Sequence, residues 1–169
     1  MTVAARPPLR RRTALGVLGA LALGGCGFQL RQTPKFAFDS LRLMGNETLP
    51  VSQGLRRELA LNGLRVVNGS QAAPVTLVVL LDQRERAVVG QTAAGQVREL
   101  QLRTRFRFRL QASDERILID DTELLLERDL SFNETQVLAK DAEELLLYRD
   151  MTNDIVQQVL RRIAAVGRV

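Results

Sequence analysis

The chain of 169 residues contains no histidine, no tryptophan and only one cysteine. Without an imidazole it has no histidine metal ligand, no histidine general base, and neither Ser-His-Asp nor Cys-His catalytic machinery. It also lacks a glycine-rich phosphate loop. Paired carboxylates occur at 120–121 and 143–144, where a turn and an exposed helix face explain them better than acid–base catalysis or metal binding. We therefore predict a protein that is not an enzyme, with no catalytic residues and no metal site.

The single cysteine, Cys26, lies directly behind a segment typical of secretory leaders. Arg6 and the arginines at 10–12 occur without any acidic residue, and an uncharged apolar run follows at 13–23. This run is shorter than the roughly 20 apolar residues that cross a bilayer, so it indicates a signal peptide rather than a transmembrane helix. We predict that residues 1–25 are removed. The pattern leaves open whether export uses the general secretory or the twin-arginine route.

The residues around the cysteine, Leu23-Gly24-Gly25-Cys26, resemble the lipobox of bacterial lipoproteins. The resemblance implies cleavage before Cys26, a diacylglycerol on its thiol and an acyl chain on the new N-terminus, and we expect no cofactor besides these covalent lipids. Two or more acyl chains anchor a protein stably to a membrane. Gly27 stands where an aspartate usually retains such proteins at the inner membrane, which implies the periplasmic side of the outer membrane. The alternative is an ordinary secreted protein with a chance cysteine.

The formal net charge of +5 gives a misleading picture of the mature chain. Four of the 24 basic residues lie in the predicted leader, which leaves 20 basic residues against 19 acidic ones. A nucleic-acid partner requires a concentrated basic surface, and the balance of charges predicts none. We therefore expect no nucleic-acid partner. The remaining residues, 26–169, are enough for one domain with its own core.

Hydrophobic periodicity predicts an α+β fold in two layers. The predicted elements are a strand at 38–45, a helix beginning at Pro50 and ending at Asn62-Gly63, a strand at 64–67, and strands at 75–89, 99–111 and 116–132, the last with an irregularity at 120–121. A final helix, capped by Asn133 or Thr135, runs to about 165. The apolar residues of the last helix, from Leu138 to Ile163, recur at three- and four-residue steps. We expect a short N-terminal and a long C-terminal helix on one face of a mostly four-stranded mixed sheet. Residues 26–37 form the lipidated N-terminus and tether, and 38–169 the single domain.

The predicted strand at 99–111 alternates more regularly than any other part of the chain. Leucine, phenylalanine and threonine side chains fall on one face, while Arg103, Arg105, Arg107 and Arg109 fall on the other. Acidic residues of the next strand, at 123, 127 and 129, occupy positions that oppose this row. The row is therefore either a paired, solvated surface or a site that binds phosphate groups.

Three segments carry a resemblance to a known family. They are "CGFQLR" from Cys26, "LRRELALNGLRVV" from Leu55, and above all "SFNETQVLAKDAEELLLYRDMTNDIVQQVLRRIAA" from Ser131. They resemble LptE, the lipopolysaccharide-assembly lipoproteins of the Gram-negative outer membrane, over nearly all of the mature chain. The family fold is two helices against a mostly four-stranded sheet. The resemblance implies a protein that plugs and helps assemble the β-barrel of the translocon protein LptD and binds lipopolysaccharide during its delivery to the outer leaflet.

The resemblance also suggests where lipopolysaccharide binds. Lys140 falls on a basic position of the family motif, whereas the hairpin tip at 90–95 lacks the basic residue that the family implies there. The nearest basic residues are Arg86 and Arg98. Together with the arginine row at 103, 105, 107 and 109, these are the candidate lipopolysaccharide contacts. A free-standing periplasmic lipoprotein that binds amphiphiles on a charged sheet face is the alternative function.

Overall fold

The computed structural model describes residues 34–69, 71–132 and 137–167. Its elements are β1 (Ser40–Met44), α1 (Pro50–Leu61), β2 (Arg65–Val67), β3 (Val75–Gln91), β4 (Val97–Ala112), β5 (Ile117–Ser131) and α2 (Val137–Ala164). The predicted signal peptide and Cys26 lie outside the described residues, as do Asn133 and Thr135, the predicted caps of α2. The lipid attachment at Cys26 therefore stays a prediction.

The strands form one mixed sheet in the order β2-β1-β3-β4-β5. Strand β1 pairs in parallel with β2 and β3, while β3, β4 and β5 form an antiparallel meander. The predicted α+β arrangement of two helices and a mixed sheet is confirmed. The sheet has five strands rather than the mostly four that the sequence predicts, because the three residues of β2 join its edge beside β1.

The short helix begins and ends where its sequence predicts. Pro50 occupies the first turn, where its missing N–H costs no hydrogen bond. Val51, Leu55 and Leu59 recur every four residues and are fully buried. At the other end, Gly63 has a φ of 85°, in the left-handed region that a residue without Cβ adopts without strain, and its N–H donates to the carbonyl of Ala60.

The alternation of β4 places its apolar face against the helices. Leu100, Leu102, Phe106, Phe108 and Leu110 are all buried, as the sequence predicts. They belong to two clusters, a large one beneath α1 and the second half of α2, and a smaller one around Tyr148 and Met151. Burial of such side chains stabilises the fold by about 1.5–3 kcal/mol each. The opposite face of β4 carries the arginines.

The prediction that an apolar stripe of α2 packs against the sheet along its whole length is wrong for the first half of the helix. Leu138 is 87% exposed and Leu145 is 67% exposed, and the buried residues of this helix begin only at Tyr148. The reason is the difference in helix length, since α1 has 12 residues and α2 has 28. At 1.5 Å per residue, α1 covers about 18 Å of a helix that is about 42 Å long.

Candidate functional site

Three of the four arginines in the row on β4, at 103, 105 and 109, are ion-paired with acidic residues of the neighbouring strand β5. The paired atoms are Arg103 Nε and Glu127 Oε1 at 2.8 Å, Arg105 Nε and Glu123 Oε1 at 3.4 Å, and Arg109 Nη1 and Asp121 Oδ1 at 3.8 Å. These side chains are about one-third to one-half exposed, so solvent screens each pair and its contribution is small. The predicted pairing across the strands is thus present for the acids at 123 and 127. Asp129 instead accepts a hydrogen bond from Gln101.

Arg107 differs from its neighbours in the row. Glu123 lies directly opposite Arg107 in the register, yet its carboxylate contacts Arg105 one step away. Within the described part of the chain, Arg107 makes no ion pair and no side-chain hydrogen bond. An exposed guanidinium without a carboxylate retains its donors for an anionic ligand. Of the row, Arg107 is therefore the residue whose charge is least compensated.

A second group of predicted residues meets where β5 ends and α2 begins, which we call the basic corner (Arg86, Arg98 and Lys140). The Nζ of Lys140 lies 2.8 Å from Glu143 Oε2 and 3.1 Å from Ser131 Oγ. Its side chain is only 16% exposed. Lys140 is thus held against the last residue of β5, unlike a freely solvated lysine in a first helical turn.

Phe132 links the other two members of the basic corner. Its backbone N–H donates to the carbonyl of Arg98 at 2.8 Å, and its ring lies 6.0 Å from the guanidinium carbon of Arg86. Arg86 Nη1 also lies 3.4 Å from Glu144 Oε2. Residues from β3, β4 and α2 therefore converge on the end of β5. The structure separates the predicted residues into this corner, on the helix side, and the arginine row.

Arg84 and Tyr148 form a contact that the sequence does not reveal. The guanidinium carbon of Arg84 lies 5.0 Å from the centre of the Tyr148 ring, and its Nη2 donates to Thr152 Oγ1 at 3.0 Å. The hydroxyl of Tyr148 donates to the carbonyl of Glu85 at 2.6 Å. Arg84 precedes Arg86 by two residues and shares its strand face, and this spacing is the only signal that could have pointed to it.

The environment of Tyr148 changes its acidity. Burial raises the pKa of its hydroxyl above the ordinary value, and the carboxylate of Glu144 raises it further. Arg84 and Arg86 act in the opposite direction, but they do not reverse the shift. Tyr148 is therefore a neutral hydrogen-bond donor under ordinary conditions.

The described residues offer neither a metal-binding cluster nor a membrane-spanning helix. Among residues 34–69, 71–132 and 137–167, no three histidine, cysteine, aspartate or glutamate side chains are grouped as a metal ion requires. In the same ranges, neither helix combines the length and the apolar character needed to cross a bilayer.

The family model of LptE, described as lipopolysaccharide-assembly, matches residues 38–163. The chain belongs to the LptE family. The match spans every strand and all but the last residue of α2. Membership carries a role in lipopolysaccharide assembly and characterises the chain as a lipoprotein of that system.

Relatives of the chain agree with the LptE assignment. It is 25% identical to the LPS-assembly lipoprotein LptE of Photorhabdus laumondii over 158 residues, which cover 91% of this chain and 85% of that one. An uncharacterized lipoprotein B of Nitrosomonas europaea is 33% identical, with a TM-score of 0.70 over 82% of this chain and 91% of the solved one. The rare lipoprotein B of Shewanella oneidensis shares the fold, with 22% identity and a TM-score of 0.62 over 75% and 94% of the two chains.

Proposed function

We propose that this LptE-family protein is anchored by lipid on Cys26 to the periplasmic side of the outer membrane. There it plugs and helps assemble an LptD-like β-barrel and binds lipopolysaccharide during its delivery to the outer leaflet. It performs these roles without catalysis and without a cofactor besides its own covalent lipids. The observation that carries the binding role is that Lys140 and Arg86 both contact the end of β5, at Ser131 and Phe132. The backbone carbonyl of Arg98 bonds to Phe132 at the same place.

Phosphate recognition follows from the chemistry of the basic corner. Guanidinium and ammonium groups donate several hydrogen bonds to phosphate oxygens, and such charge-assisted bonds are stronger than neutral ones. Lys140 is already held in place by Ser131 and Glu143, so little side-chain freedom is lost when an anion binds. Phe132 fixes Arg86 from the other side. Lys140 and Arg86 are therefore restrained, and a phosphate competes with Glu143 and Glu144 for their donors.

The arginine row supports the proposal in a different way. Three of its guanidiniums are occupied by carboxylates of β5, so the face as a whole is polar and nearly neutral. The lumen of an outer-membrane barrel is itself polar, and a polar sheet face suits such surroundings. Arg107, which has no carboxylate among the described residues, is the member of the row that we assign to lipopolysaccharide.

A binding experiment with the two lysines of the chain tests the basic corner. Lys140→Asp reverses a charge in the corner, whereas Lys35→Asp makes the same change at the only other lysine, which is exposed ahead of β1. We expect Lys140→Asp to weaken the capture of lipopolysaccharide by at least about tenfold, the effect of losing one charge-assisted contact. Lys35→Asp should have little effect. Equal capture by both variants would remove Lys140 from the site.

The assembly role has a separate test. Depletion of the protein from its native host should leave the LptD-like barrel misassembled, measured by the loss of its heat-modifiable folded form on gels. A barrel that matures normally during depletion would contradict the assembly role while leaving lipopolysaccharide binding intact. A stable lipidated monomer that binds amphiphiles and has no barrel partner would instead favour a free-standing lipoprotein.

A further inference from the structure

One side of α2 carries a line of residues, which we call the seam, and α1 covers only its second half. Its positions are 138, 142, 145, 149, 152, 156, 159 and 163, which alternate steps of four and three residues and therefore share one side of the helix. In the second half, α1 packs so closely that a Cβ on Gly54 would lie 2.9 Å from Val156 Cγ2 and 3.7 Å from Thr152 Cγ2. In the first half, all four seam residues are exposed.

The exposed half of the seam forms part of a larger apolar surface, which we call the bare strip. Its members are Leu138, Ala139, Ala142, Leu145 and Leu146, and all of them are exposed. Leu146, on the flank of the seam, is 57% exposed. A contiguous apolar surface of this kind marks a site of interaction rather than an ordinary scattering of exposed leucines.

We infer that the bare strip holds acyl chains of the lipopolysaccharide whose phosphates the basic corner binds, an inference that rests on the proposed function. The strip and the corner lie on the same first turns of α2, since Lys140 falls between Leu138 and Ala142 in the chain. Lys140 and Glu144 point to the sheet side of the helix, where they contact Ser131 and Arg86. The bare strip lies on the side of the same turns that faces away from these contacts.

The size of the bare strip favours an acyl chain over a second copy of this chain. The strip is one helix wide and about 12 Å long, from 138 to 146. A specific protein interface takes roughly 20–30 residues from each side, so five residues are too few to hold a second copy of this chain by themselves. An acyl chain is narrow and has no such requirement, and it gains from each apolar side chain that it covers.

The charges around the bare strip match an anionic amphiphile. Arg149 lies in the exposed half of the seam, and Arg84 reaches the seam at Thr152, one heptad after Leu145. Neither guanidinium contacts a carboxylate in the described part of the chain. Asp141 and Asp150 border the strip and repel phosphates from the strip itself, leaving it to uncharged chains. Cations at the C-terminal end of an uncharged strip, and the basic corner on the other side of the same helix turns, suit a ligand with phosphates and long tails.

A single-tryptophan variant tests the inference directly. The chain has no tryptophan, so Leu145→Trp introduces its only indole. The mature lipoprotein is placed in nanodiscs of zwitterionic lipid, and lipopolysaccharide or its deacylated form, which keeps phosphates and sugars, is added. We expect the emission of the indole to shift to the blue with the acylated form alone. The matched control is Leu61→Trp, at an exposed leucine at the end of α1, and the emission of its indole should not shift with either form.

A binding series completes the experiment. Leu138→Ser, Leu145→Ser and Leu146→Ser together should lower the affinity for acylated lipopolysaccharide by about tenfold or more, because contact with several apolar side chains is lost. Binding of the deacylated form should stay within about twofold of wild type. The control variant combines Leu61→Ser and Leu125→Ser, two exposed leucines outside the strip.

Any other result of the fluorescence or binding experiments overturns the inference, and each such result has a distinct meaning. Unchanged affinity of the triple variant, or an equal blue shift with both forms, means that acyl chains do not lie on the bare strip although the proposed function stands. A blue shift that grows with protein concentration before any lipopolysaccharide is added assigns the strip to a second copy of the chain. If the wild-type protein binds neither form, the proposed binding function fails together with the inference.

Discussion

Asp82 of β3 caps the first turn of α1 through Ser52. The carboxylate oxygen Oδ2 accepts hydrogen bonds from both the backbone N–H and the hydroxyl of Ser52, each at 2.9 Å, and Asp82 is 8% exposed. Leu49, at the N-cap position itself, provides no side-chain cap. An acidic group near a helix N-terminus satisfies a free N–H and interacts favourably with the helix dipole. The contact thus ties α1 to the strand that begins the hairpin.

We predict that Asp82→Ala lowers the free energy of unfolding by about 1–3 kcal/mol, because it removes the cap and leaves the Ser52 donors buried without an acceptor. Asp82→Asn should cost less, since the amide oxygen still accepts a hydrogen bond. Denaturant unfolding followed by circular dichroism measures both. Asp141→Ala, at an exposed aspartate of α2, is the control and should change little. An Asp82→Ala variant as stable as this control would show that the cap is not needed.

The close approach of the two helices at Gly54 gives a second prediction. Gly54→Ala should destabilise the protein by about 1–3 kcal/mol, because the new Cβ would lie 2.9 Å from Val156 Cγ2. Val156→Ala removes the atom that the methyl group meets, so the double variant should be more stable than the sum of the two single losses. Strictly additive losses in denaturant unfolding would contradict the proposed contact.

The raised pKa of Tyr148 predicts an alkaline loss of stability. The folded state holds the tyrosine proton more tightly than the unfolded chain does, so the stabilisation is fully present below the unfolded pKa of about 10. It is lost as the pH rises through the higher folded pKa. Near neutral pH, we expect the free energy of unfolding of the wild-type protein to exceed that of Tyr148→Phe by about 1 kcal/mol, because the variant loses the hydrogen bond to the Glu85 carbonyl. This advantage should shrink in strong alkali, and a constant difference at all pH values would refute the shift.

The arginine row gives a prediction about binding. Arg103→Ser, Arg105→Ser, Arg107→Ser and Arg109→Ser together should weaken lipopolysaccharide capture while the fold survives, because exposed ion pairs contribute about 0–1 kcal/mol each. Arg107→Ser alone should account for most of that loss, since Arg107 is the member of the row that no carboxylate of the described residues contacts. Arg103→Ser, whose side chain is paired with Glu127, is the matched control. If the two single variants capture equal amounts, pairing does not decide which arginine binds.

The parts of the fold that the sequence predicts are those governed by short-range periodicity. The alternation of β4 separates its buried leucines and phenylalanines from its arginines, and the four-residue spacing of Val51, Leu55 and Leu59 defines α1. The irregularity predicted at 120–121 is also present, because the register of β5 shifts between Ile119 and Thr122. In each case the residues that decide the structure are neighbours in the chain.

The parts that the sequence does not predict depend on distant residues. Periodicity gives α2 one continuous apolar stripe, but whether Leu138 and Leu145 are covered depends on the length of α1, about 80 residues earlier. The sequence pattern does not single out Arg84, because its partners, Tyr148 and Thr152, belong to another element. Likewise, the alternation of β4 cannot show that Glu123 contacts Arg105 rather than Arg107, which lies directly opposite it.

The partnership with an LptD-like barrel is best tested by purifying the full lipidated protein from native outer membranes in mild detergent and identifying what accompanies it by mass spectrometry. We expect one large β-barrel protein in equal amount, together with lipopolysaccharide whose amount Lys140→Asp reduces. The mass of the N-terminal peptide should include acyl chains on Cys26. A monomer without a barrel protein, recovered with an unmodified thiol, would contradict the proposed function.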